Sequence, residues 1–354
     1  MRRPWFTSLL FLFLILPLLI SPVGCFSRAQ RKPPLGIIGA MPQVIAFYEK
    51  GWGGFLVGSW EAFKANAGQI QTISPFWHSI DGQGELVDSK FEKEVLDFAH
   101  SRNIKVVALF NNKKYPEGDN GAFLRNEADR KKVIDRILAV LDQNGYDGVN
   151  VDFELLKPDL KEALTDFVDK LSAALHGKNK LLAVSVFPQV DVSPEISGVY
   201  DYASLAKAAD YLVLMAYDKH HEQSPPGPVA PLKWTEDNVS HALKFMPANK
   251  LALAIGSYGY DWPPGGKGEY IPASEALRRA QQAAADVQWD EDSQQAFFTY
   301  SVGGEKHQVW FQNAASVRQK IDLAKKKRLL AIALWRLGFE EPEVWNIIKS
   351  DLRK

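Results

Sequence analysis

Eight short runs of apolar residues divide this chain, and they constrain its fold more than any other feature. They cover residues 44–48, 70–77, 104–110, 148–154, 181–188, 211–217, 251–257 and 330–335. Such runs are typical of strands buried on both faces of a parallel sheet. Helical spacing of apolar residues separates most of them, at 90–101, 127–143, 158–175, 316–327 and 342–352. Eight strands alternating with helices predict an α/β fold, the (β/α)8 or TIM barrel, with a doubly wound parallel sheet as the alternative.

One interval in this pattern is too long to be a single loop. Residues 262–315 contain a helical pattern at 273–286 and strand-like runs at 296–301 and 308–311. We therefore predict a barrel over residues 35–354, with a small α+β insertion at about 262–315 between strands seven and eight.

Composition excludes several classes of function. Lys and Arg number 42, Asp and Glu also number 42, and there is one cysteine. Zero formal charge argues against a general nucleic-acid binder, which needs a basic surface. A single cysteine excludes a disulfide scaffold and a cysteine-rich metal site. No His, Cys or carboxylate cluster has the spacing of metal ligands. We expect a monomer that needs no metal or other cofactor.

The N-terminal segment has the pattern of an export signal. Arg2 and Arg3 precede a dense apolar run at 5–23, as in a secretory signal peptide. We expect the signal to cover residues 1–25 and a polar linker to follow at 26–34.

The residues that close this segment leave three forms of export open. Small residues before Cys25 resemble a bacterial lipobox, although Pro22 stands where leucine is usual. Lipidation of Cys25 would anchor the protein on the outer face of the cytoplasmic membrane. Cleavage after Ala29 would instead release it, as a secreted or cell-wall-associated protein. The apolar run is also close to the length that spans a bilayer, so an uncleaved anchor is the third alternative.

The fourth run carries the strongest chemical signal. Side chains of a strand alternate between its faces, so Asn150, Asp152 and Glu154 share one face. Polar groups on the inward face of a barrel strand are costly to bury without partners. Two nearby carboxylates also couple, because ionising one raises the pKa of the other. Glu154 lies nearest the carboxyl end of the strand, where barrel active sites lie, so we predict that it is the general acid.

Several motifs together resemble glycoside hydrolase family 18, the chitinase family. Residues 147–154 read Asp-Gly-Val-Asn-Val-Asp-Phe-Glu, which is similar to the family pattern D-x-x-D-x-D-x-E. Residues 215–218 read Met-Ala-Tyr-Asp and resemble the M-x-Y-D motif. Residues 250–262 resemble the seventh-strand region, and the eighth run ends in Trp335, where the family has a tryptophan. The resemblance covers about residues 35–350.

This resemblance implies a substrate-assisted glycosidase. Glu154 would protonate the leaving oxygen, Asp152 would orient the N-acetyl group of the substrate, and Tyr217 would donate a hydrogen bond to it. Trp335 would form the floor beneath the sugar. The substrate-binding positions implied by the motifs are Asn150, Asp147, Met215 and Asp218. Asn150 replaces an aspartate of the family pattern, which keeps hydrogen bonding and removes a charge.

The sequence leaves open the subgroup within the family and the roles of the residues that end the second and third strands. The loop motifs look most like bacterial N-acetylglucosaminidases that act on peptidoglycan or spore cortex. A chitinase is the alternative enzyme, and a glycan-binding lipoprotein without catalysis is the alternative from another class. Asn111 and Asn112, which end the third strand, either bind sugar hydroxyls or cap a loop. Trp77 either lines the cleft or packs in the core.

Overall fold

The structure is a computed structural model that describes residues 41–112 and 119–352. The strands are β1 Gln43–Tyr48, β2 Thr72–Ile80, β3 Leu86–Ser89, β4 Lys105–Asn112, β5 Gly148–Asp152, β6 Leu181–Val186, β7 Tyr211–Leu214, β8 Leu251–Gly256, β9 Tyr258–Trp262, β10 Glu269–Pro272, β11 Gln288–Asp290, β12 Gln295–Val302, β13 Glu305–Phe311 and β14 Ala331–Trp335. The helices are α1 Trp60–Asn66, α2 Lys93–Ser101, α3 Glu127–Asn144, α4 Lys161–Gly177, α5 Pro194–Ser197, α6 Tyr202–Ala208, α7 Leu232–Ala242, α8 Ala273–Gln282, α9 Ala314–Lys326 and α10 Pro342–Leu352.

Eight of the strands form a closed parallel barrel. The order around the barrel is β1, β2, β4, β5, β6, β7, β8 and β14, and β14 pairs with β1 to close it. The short strand β3 pairs antiparallel with the end of β2. The eight predicted runs correspond to these eight strands, so the prediction of a (β/α)8 barrel is confirmed and the doubly wound sheet is wrong.

Alternation along the strands creates two apolar layers. The inner layer is rich in alanine on three of the barrel strands. Its alanines are Ala183, Ala252, Ala254, Ala331 and Ala333. The outer layer consists of larger aliphatic and aromatic side chains between the strands and the helices. This outer layer is the main core, and each buried large side chain there contributes roughly 1.5–3 kcal/mol.

Local signals explain where the long helices begin and end. Helix α3 begins after Asn126, whose side chain accepts a hydrogen bond from the Ala128 amide, and it ends at Gly145 with φ 76°. A 3₁₀ turn at Pro158–Leu160 precedes α4, because proline lacks an amide hydrogen and suits the first turn. The α4 helix therefore starts three residues later than the sequence pattern indicates.

The insertion is a second, smaller layer structure. Its five strands form an antiparallel sheet in the order β10, β9, β13, β12 and β11. Helix α8 packs on this sheet through a small apolar core that includes Ile271, Ala276, Phe298 and Phe311. The predicted α+β insertion between the seventh and eighth barrel strands is confirmed. Its first strand, β9, begins at Tyr258, only two residues after β8 ends.

The signal peptide, Cys25 and the linker all lie outside the described residues. Within residues 41–112 and 119–352, the search for a helix long and apolar enough to cross a bilayer finds no candidate.

Candidate active site

A cavity of about 600 Å³ opens at the carboxyl ends of the barrel strands. Most of the sequence-predicted site residues line it, together with side chains that sequence reasoning missed. The predicted residues are Asn111, Asn112, Asp152, Glu154, Met215, Tyr217, Asp218 and Trp335. The residues that were missed are Phe47, Trp52, Phe76, Ser79, Glu222, Tyr260 and Tyr270.

The two carboxylates of the fourth barrel strand reach the cavity from different backbone settings. Asp152 is the last residue of β5, lies opposite Asn111 in the register of β4 and β5, and is 6% exposed. Glu154 lies two residues beyond the strand. Its backbone amide donates to Asn112 Oδ1 at 2.7 Å, and Asn112 Nδ2 donates to the Glu154 carbonyl at 2.8 Å. The acid candidate therefore has a fixed backbone although it lies outside the β-ladder.

Tyr217 is a hydrogen-bond donor held in its neutral form. It follows β7 and contacts the inner apolar layer at the barrel mouth. Burial raises the pKa of its hydroxyl well above the ordinary value, and the negative charges of Asp152 and Glu154 raise it further. The hydroxyl therefore keeps its proton and can donate it in a hydrogen bond to an oxygen in the cavity.

Asp218 connects the barrel to the insertion. Its backbone has φ 60°, in the left-handed region. One carboxylate oxygen accepts hydrogen bonds from the Tyr258 hydroxyl at 2.6 Å and the Tyr260 hydroxyl at 3.0 Å. Burial raises the pKa of Asp218, and the two hydroxyl donors oppose that rise. The first strand of the insertion thus supplies partners to a carboxylate in the cavity wall.

Trp335 and its aromatic neighbours form an apolar surface in the cavity. Trp335 ends β14 and makes edge contacts with Phe47, at 5.3 Å between ring centroids, and with Phe76, at 6.1 Å. Such a surface suits the C–H face of a pyranose ring. Phe47 lies near the carboxyl end of β1 and Phe76 in the middle of β2, and strand alternation alone was enough to point them inward.

Aromatic residues from two distant segments form another part of the wall. Trp52 follows β1 and lies 6.2 Å from the ring of Tyr270, which belongs to β10 of the insertion. The guanidinium of Arg336 lies 4.6 Å from the Trp52 ring. No sequence motif marks Trp52 or Tyr270, because only the fold brings the β1 loop beside the insertion.

Asn111 lines the cavity and carries a buried donor. Its side chain is 7% exposed, and its Nδ2 has no hydrogen-bond partner among the described residues. A buried amide hydrogen without a partner costs free energy, roughly 1–3 kcal/mol.

Three residues that were predicted to bind substrate do not reach the cavity, namely Asp147, Asn150 and Trp77. Asp147 lies just before β5, at the opposite end of the barrel, where its carboxylate accepts hydrogen bonds from the Val106 amide and from His100. Asn150 is inside the barrel below Asp152, with Ser74 and Ser185 as its side-chain partners at 3.3 Å.

Trp77 packs in the outer layer rather than lining the cleft. Its ring contacts those of Tyr48, Phe91 and Tyr146, and it is 1% exposed. Alternation along β2 directs Phe76 into the cavity and Trp77 toward the helices.

A second cavity of about 520 Å³ adjoins the first. Both are lined by Glu154, Tyr217, Asp218, Glu222 and Tyr260. The second has an apolar wall formed by Leu155, Phe187, Pro188, Val192, Ile196 and Trp234. A chain molecule crossing both cavities would pass Glu154 at their junction. In the described part of the chain, no group of three His, Cys, Asp or Glu side chains is arranged to hold a metal ion.

Comparison with known proteins assigns the family. The sequence profile of the Glycosyl hydrolases family 18 matches residues 58–340. The chain belongs to this family. It is therefore a glycosidase, and the family resemblance inferred from the motifs is confirmed. Enzymes of glycosyl hydrolase family 18 act on glycans that contain N-acetylglucosamine.

Two relatives and one solved structure show the range of the similarity. The putative sporulation-specific glycosylase YdhD of Bacillus subtilis is 29% identical over 294 residues, covering 78% of this chain and 68% of that protein. The cortical fragment-lytic enzyme of the same species is 25% identical, covering 74% and 64%. The crystal structure of a chitinase from Chromobacterium violaceum superposes with a TM-score of 0.80 and 27% identity, over 88% and 99%.

Proposed function

We propose that this family 18 glycosidase is exported and cleaves β-linked, N-acetylglucosamine-containing glycan of peptidoglycan or spore cortex. Catalysis is substrate-assisted and retains the anomeric configuration. The observation that carries this proposal is that Glu154, Asp152, Tyr217 and Trp335 line one cavity at the mouth of the barrel.

Each of the four side chains has a role in the first step. Glu154 donates its proton to the glycosidic oxygen, and the bond from that oxygen to the anomeric carbon breaks. The carbonyl oxygen of the substrate's own N-acetyl group attacks the same carbon, which gives an oxazolinium ion. Asp152 accepts a hydrogen bond from the acetamido N–H and stabilises the positive charge, while Tyr217 donates to the acetamido oxygen. Trp335 supports the face of the reacting sugar.

The second step returns the enzyme to its starting state. Glu154, now a carboxylate, takes a proton from a water molecule while the oxygen of that water attacks the anomeric carbon. The oxazolinium ring opens, the acetamido group is restored, and the product keeps the original configuration. The position of Glu154 between two cavities supports this scheme, because the sugar before the cleaved bond and the leaving glycan each have space.

Wall glycan is the proposed substrate because of the relatives. YdhD is described as a sporulation-specific glycosylase and the other relative as a cortical fragment-lytic enzyme. The similarity to a chitinase supports chitin as the alternative substrate for the same machinery.

Digestion of purified peptidoglycan, spore-cortex glycan and chitin oligomers tests the proposal, with products analysed by mass and by reducing end. Wild-type protein is compared with Glu154→Gln and with Glu162→Gln, an exposed glutamate of α4 that serves as the matched control. We expect wall glycan to be cleaved after N-acetylglucosamine by the wild type and the control alone. If only chitin oligomers are cleaved, chitin replaces wall glycan as the substrate. If wild type and Glu154→Gln bind a glycan equally well and neither cleaves it, a glycan-binding lipoprotein is favoured.

Export and anchoring form a separate part of the proposal. Arg2, Arg3 and the apolar run at 5–23 support an export signal, and Cys25 is the proposed lipidation site. Fatty-acid labelling in a bacterial host should mark the wild type and not Cys25→Ser. Label-free protein in the medium would instead support cleavage after Ala29. Unlabelled protein that keeps its N-terminus in the membrane would support an uncleaved anchor.

A further inference from the structure

Asn112 and Glu154 form a closed pair of opposed hydrogen bonds. The Glu154 amide donates to Asn112 Oδ1 at 2.7 Å, and Asn112 Nδ2 donates to the Glu154 carbonyl at 2.8 Å. The side-chain amide thus presents one acceptor and one donor to a single residue, as a neighbouring strand would. Asn112 is 1% exposed, so these bonds are shielded from competing water.

This pair replaces strand pairing at the point where pairing ends. The last residues in register between β4 and β5 are Asn111 and Asp152, and Glu154 lies beyond them. Leu155, the next residue, has φ 52° and is 50% exposed. Without another restraint, the Glu154 backbone would lie between a finished strand and an exposed, left-handed residue. The Asn112 side chain restrains both backbone groups of Glu154, while the Tyr200 hydroxyl holds the preceding carbonyl, that of Phe153, at 2.8 Å.

We infer that Asn112 is a positioning residue that sets the direction of the Glu154 carboxyl for proton transfer. This inference rests on the proposed role of Glu154 as the acid. Loss of the pair affects proton transfer more than glycan binding, because proton donation depends steeply on the placement of the donor. Glycosides with a poor leaving group should be affected most, since they need protonation most.

Replacement by alanine gives the first readout. Asn112→Ala should lower kcat on an N-acetylglucosamine-containing oligomer by about 10- to 100-fold and change KM by less than about threefold. The loss should be smaller on a 4-methylumbelliferyl glycoside of N-acetylchitobiose, whose phenolic leaving group needs less protonation. A loss that is equal on both substrates contradicts a role in proton transfer.

Replacement by aspartate gives a pH signature that a purely structural residue would not produce. A protonated Asp at position 112 can accept from the Glu154 amide and donate to its carbonyl, whereas an ionised one repels that carbonyl. The kcat of Asn112→Asp should therefore approach the wild-type value at acidic pH and fall as the new carboxyl ionises.

Asn238→Asp is the matched control, measured under the same conditions. Asn238 is also 1% exposed and clamps a backbone, with its Oδ1 accepting from the amides of Gln189 and Val190. It should acquire no such pH dependence in kcat, and circular dichroism checks that each variant is folded.

The outcomes separate this inference from the proposed function. If Glu154→Gln is inactive while Asn112→Ala keeps wild-type kcat, or Asn112→Asp follows the wild-type pH profile, the role of Asn112 is overturned and that of Glu154 stands. If Glu154→Gln is as active as the wild type, or the wild type cleaves no glycan, the proposed function fails and this inference fails with it.

Discussion

The hydroxyl of Tyr258 lies 2.6 Å from a carboxylate oxygen of Asp218 and donates a hydrogen bond to it. Tyr258 begins the first strand of the insertion, and Asp218 follows the seventh strand in chain order, β7. The insertion therefore contributes to the candidate active-site cavity and is more than a covering layer. Its loss would leave a buried carboxylate without two of its hydrogen-bond donors.

Removing the Tyr258 hydroxyl should change the pH dependence of the enzyme. Burial raises the pKa of Asp218, and the hydrogen bond from Tyr258 lowers it. In Tyr258→Phe the pKa of Asp218 rises further, so this carboxylate becomes protonated at a higher pH during acidification. We expect the acid limb of the kcat/KM profile to move upward by about one pH unit. Tyr300→Phe is the control, because that hydroxyl donates to Asp261 outside the cavity. An acid limb that moves equally in both variants would contradict the prediction.

Tyr217→Phe tests the proposed role of Tyr217 as a hydrogen-bond donor to the N-acetyl group of the substrate. Removal of a donor that acts on developing charge should lower kcat by roughly 10²- to 10³-fold. KM should change little, because the interaction strengthens in the transition state. Steady-state kinetics on an N-acetylglucosamine oligomer measures both constants. A rise in KM at unchanged kcat would show that Tyr217 serves binding alone.

Asn111→Leu tests whether the unpaired amide hydrogen serves the substrate. Leucine is similar in size to asparagine but has no hydrogen-bond donor. If the substrate uses that donor, we expect kcat/KM to fall by about 10- to 100-fold. Thermal stability should stay the same or increase, because a buried donor without a partner is removed. Kinetics and thermal melts of the same preparation check this pair of outcomes. Lower stability with unchanged kcat/KM would assign Asn111 to the structure of the loop instead.

Asp147→Ala should affect stability rather than catalysis. The carboxylate of Asp147 holds the Val106 amide at 2.8 Å, and its loss should lower the free energy of unfolding by about 1–3 kcal/mol. Asp210→Ala is a matched variant, since Asp210 holds the Leu182 amide and His176 in the same way. Urea unfolding and kcat of the folded variants are the measurements. A fall in kcat/KM for Asp147→Ala alone would restore its expected role in substrate binding.

Lys320 should make stability depend on pH in the alkaline range. It is 1% exposed, and burial lowers its pKa to about 7. Between pH 7 and the ordinary lysine pKa of 10.5, the unfolded chain binds a proton at Lys320 that the folded protein does not bind. Lys320 therefore destabilises the folded protein increasingly as the pH falls from 10.5, and this destabilisation reaches its full size below pH 7. Lys320→Met should raise the free energy of unfolding at pH 7, on the order of a few kcal/mol.

The pH series supplies the sharper check on Lys320. The gain from Lys320→Met should shrink as pH rises from 7 toward 10, because the unfolded lysine then loses its proton as well. Lys326→Met removes an exposed lysine of the same helix and serves as the control. A gain for Lys320→Met that stays constant across this range would indicate better packing alone, without a change in proton binding.

Sequence alone predicted the elements whose pattern is strong and local. The eight barrel strands are continuous apolar runs, and α3 and α10 have clear apolar faces and helix-starting residues, Asn126 and Pro342. The short elements were missed, namely β3, β9, β10, β11, α1, α5, α6 and α7. Most of these span seven residues or fewer, and such segments are stabilised by tertiary contacts more than by local propensity.

The sequence by itself determined the family and its glycosidase activity. It also determined the polar residues at and after the ends of β5 and β7. The spacing of Asp152 and Glu154 was enough to predict that both carboxylates serve one site, although Glu154 lies beyond the end of β5 and Asn150 does not reach the cavity. Only the tertiary structure decided that Asp147 and Trp77 lie away from the cavity, that Asn112 holds Glu154, and that the insertion supplies Tyr258 and Tyr270. The physical reason is that these relationships join residues far apart in the chain, and closure of the barrel sets their distances.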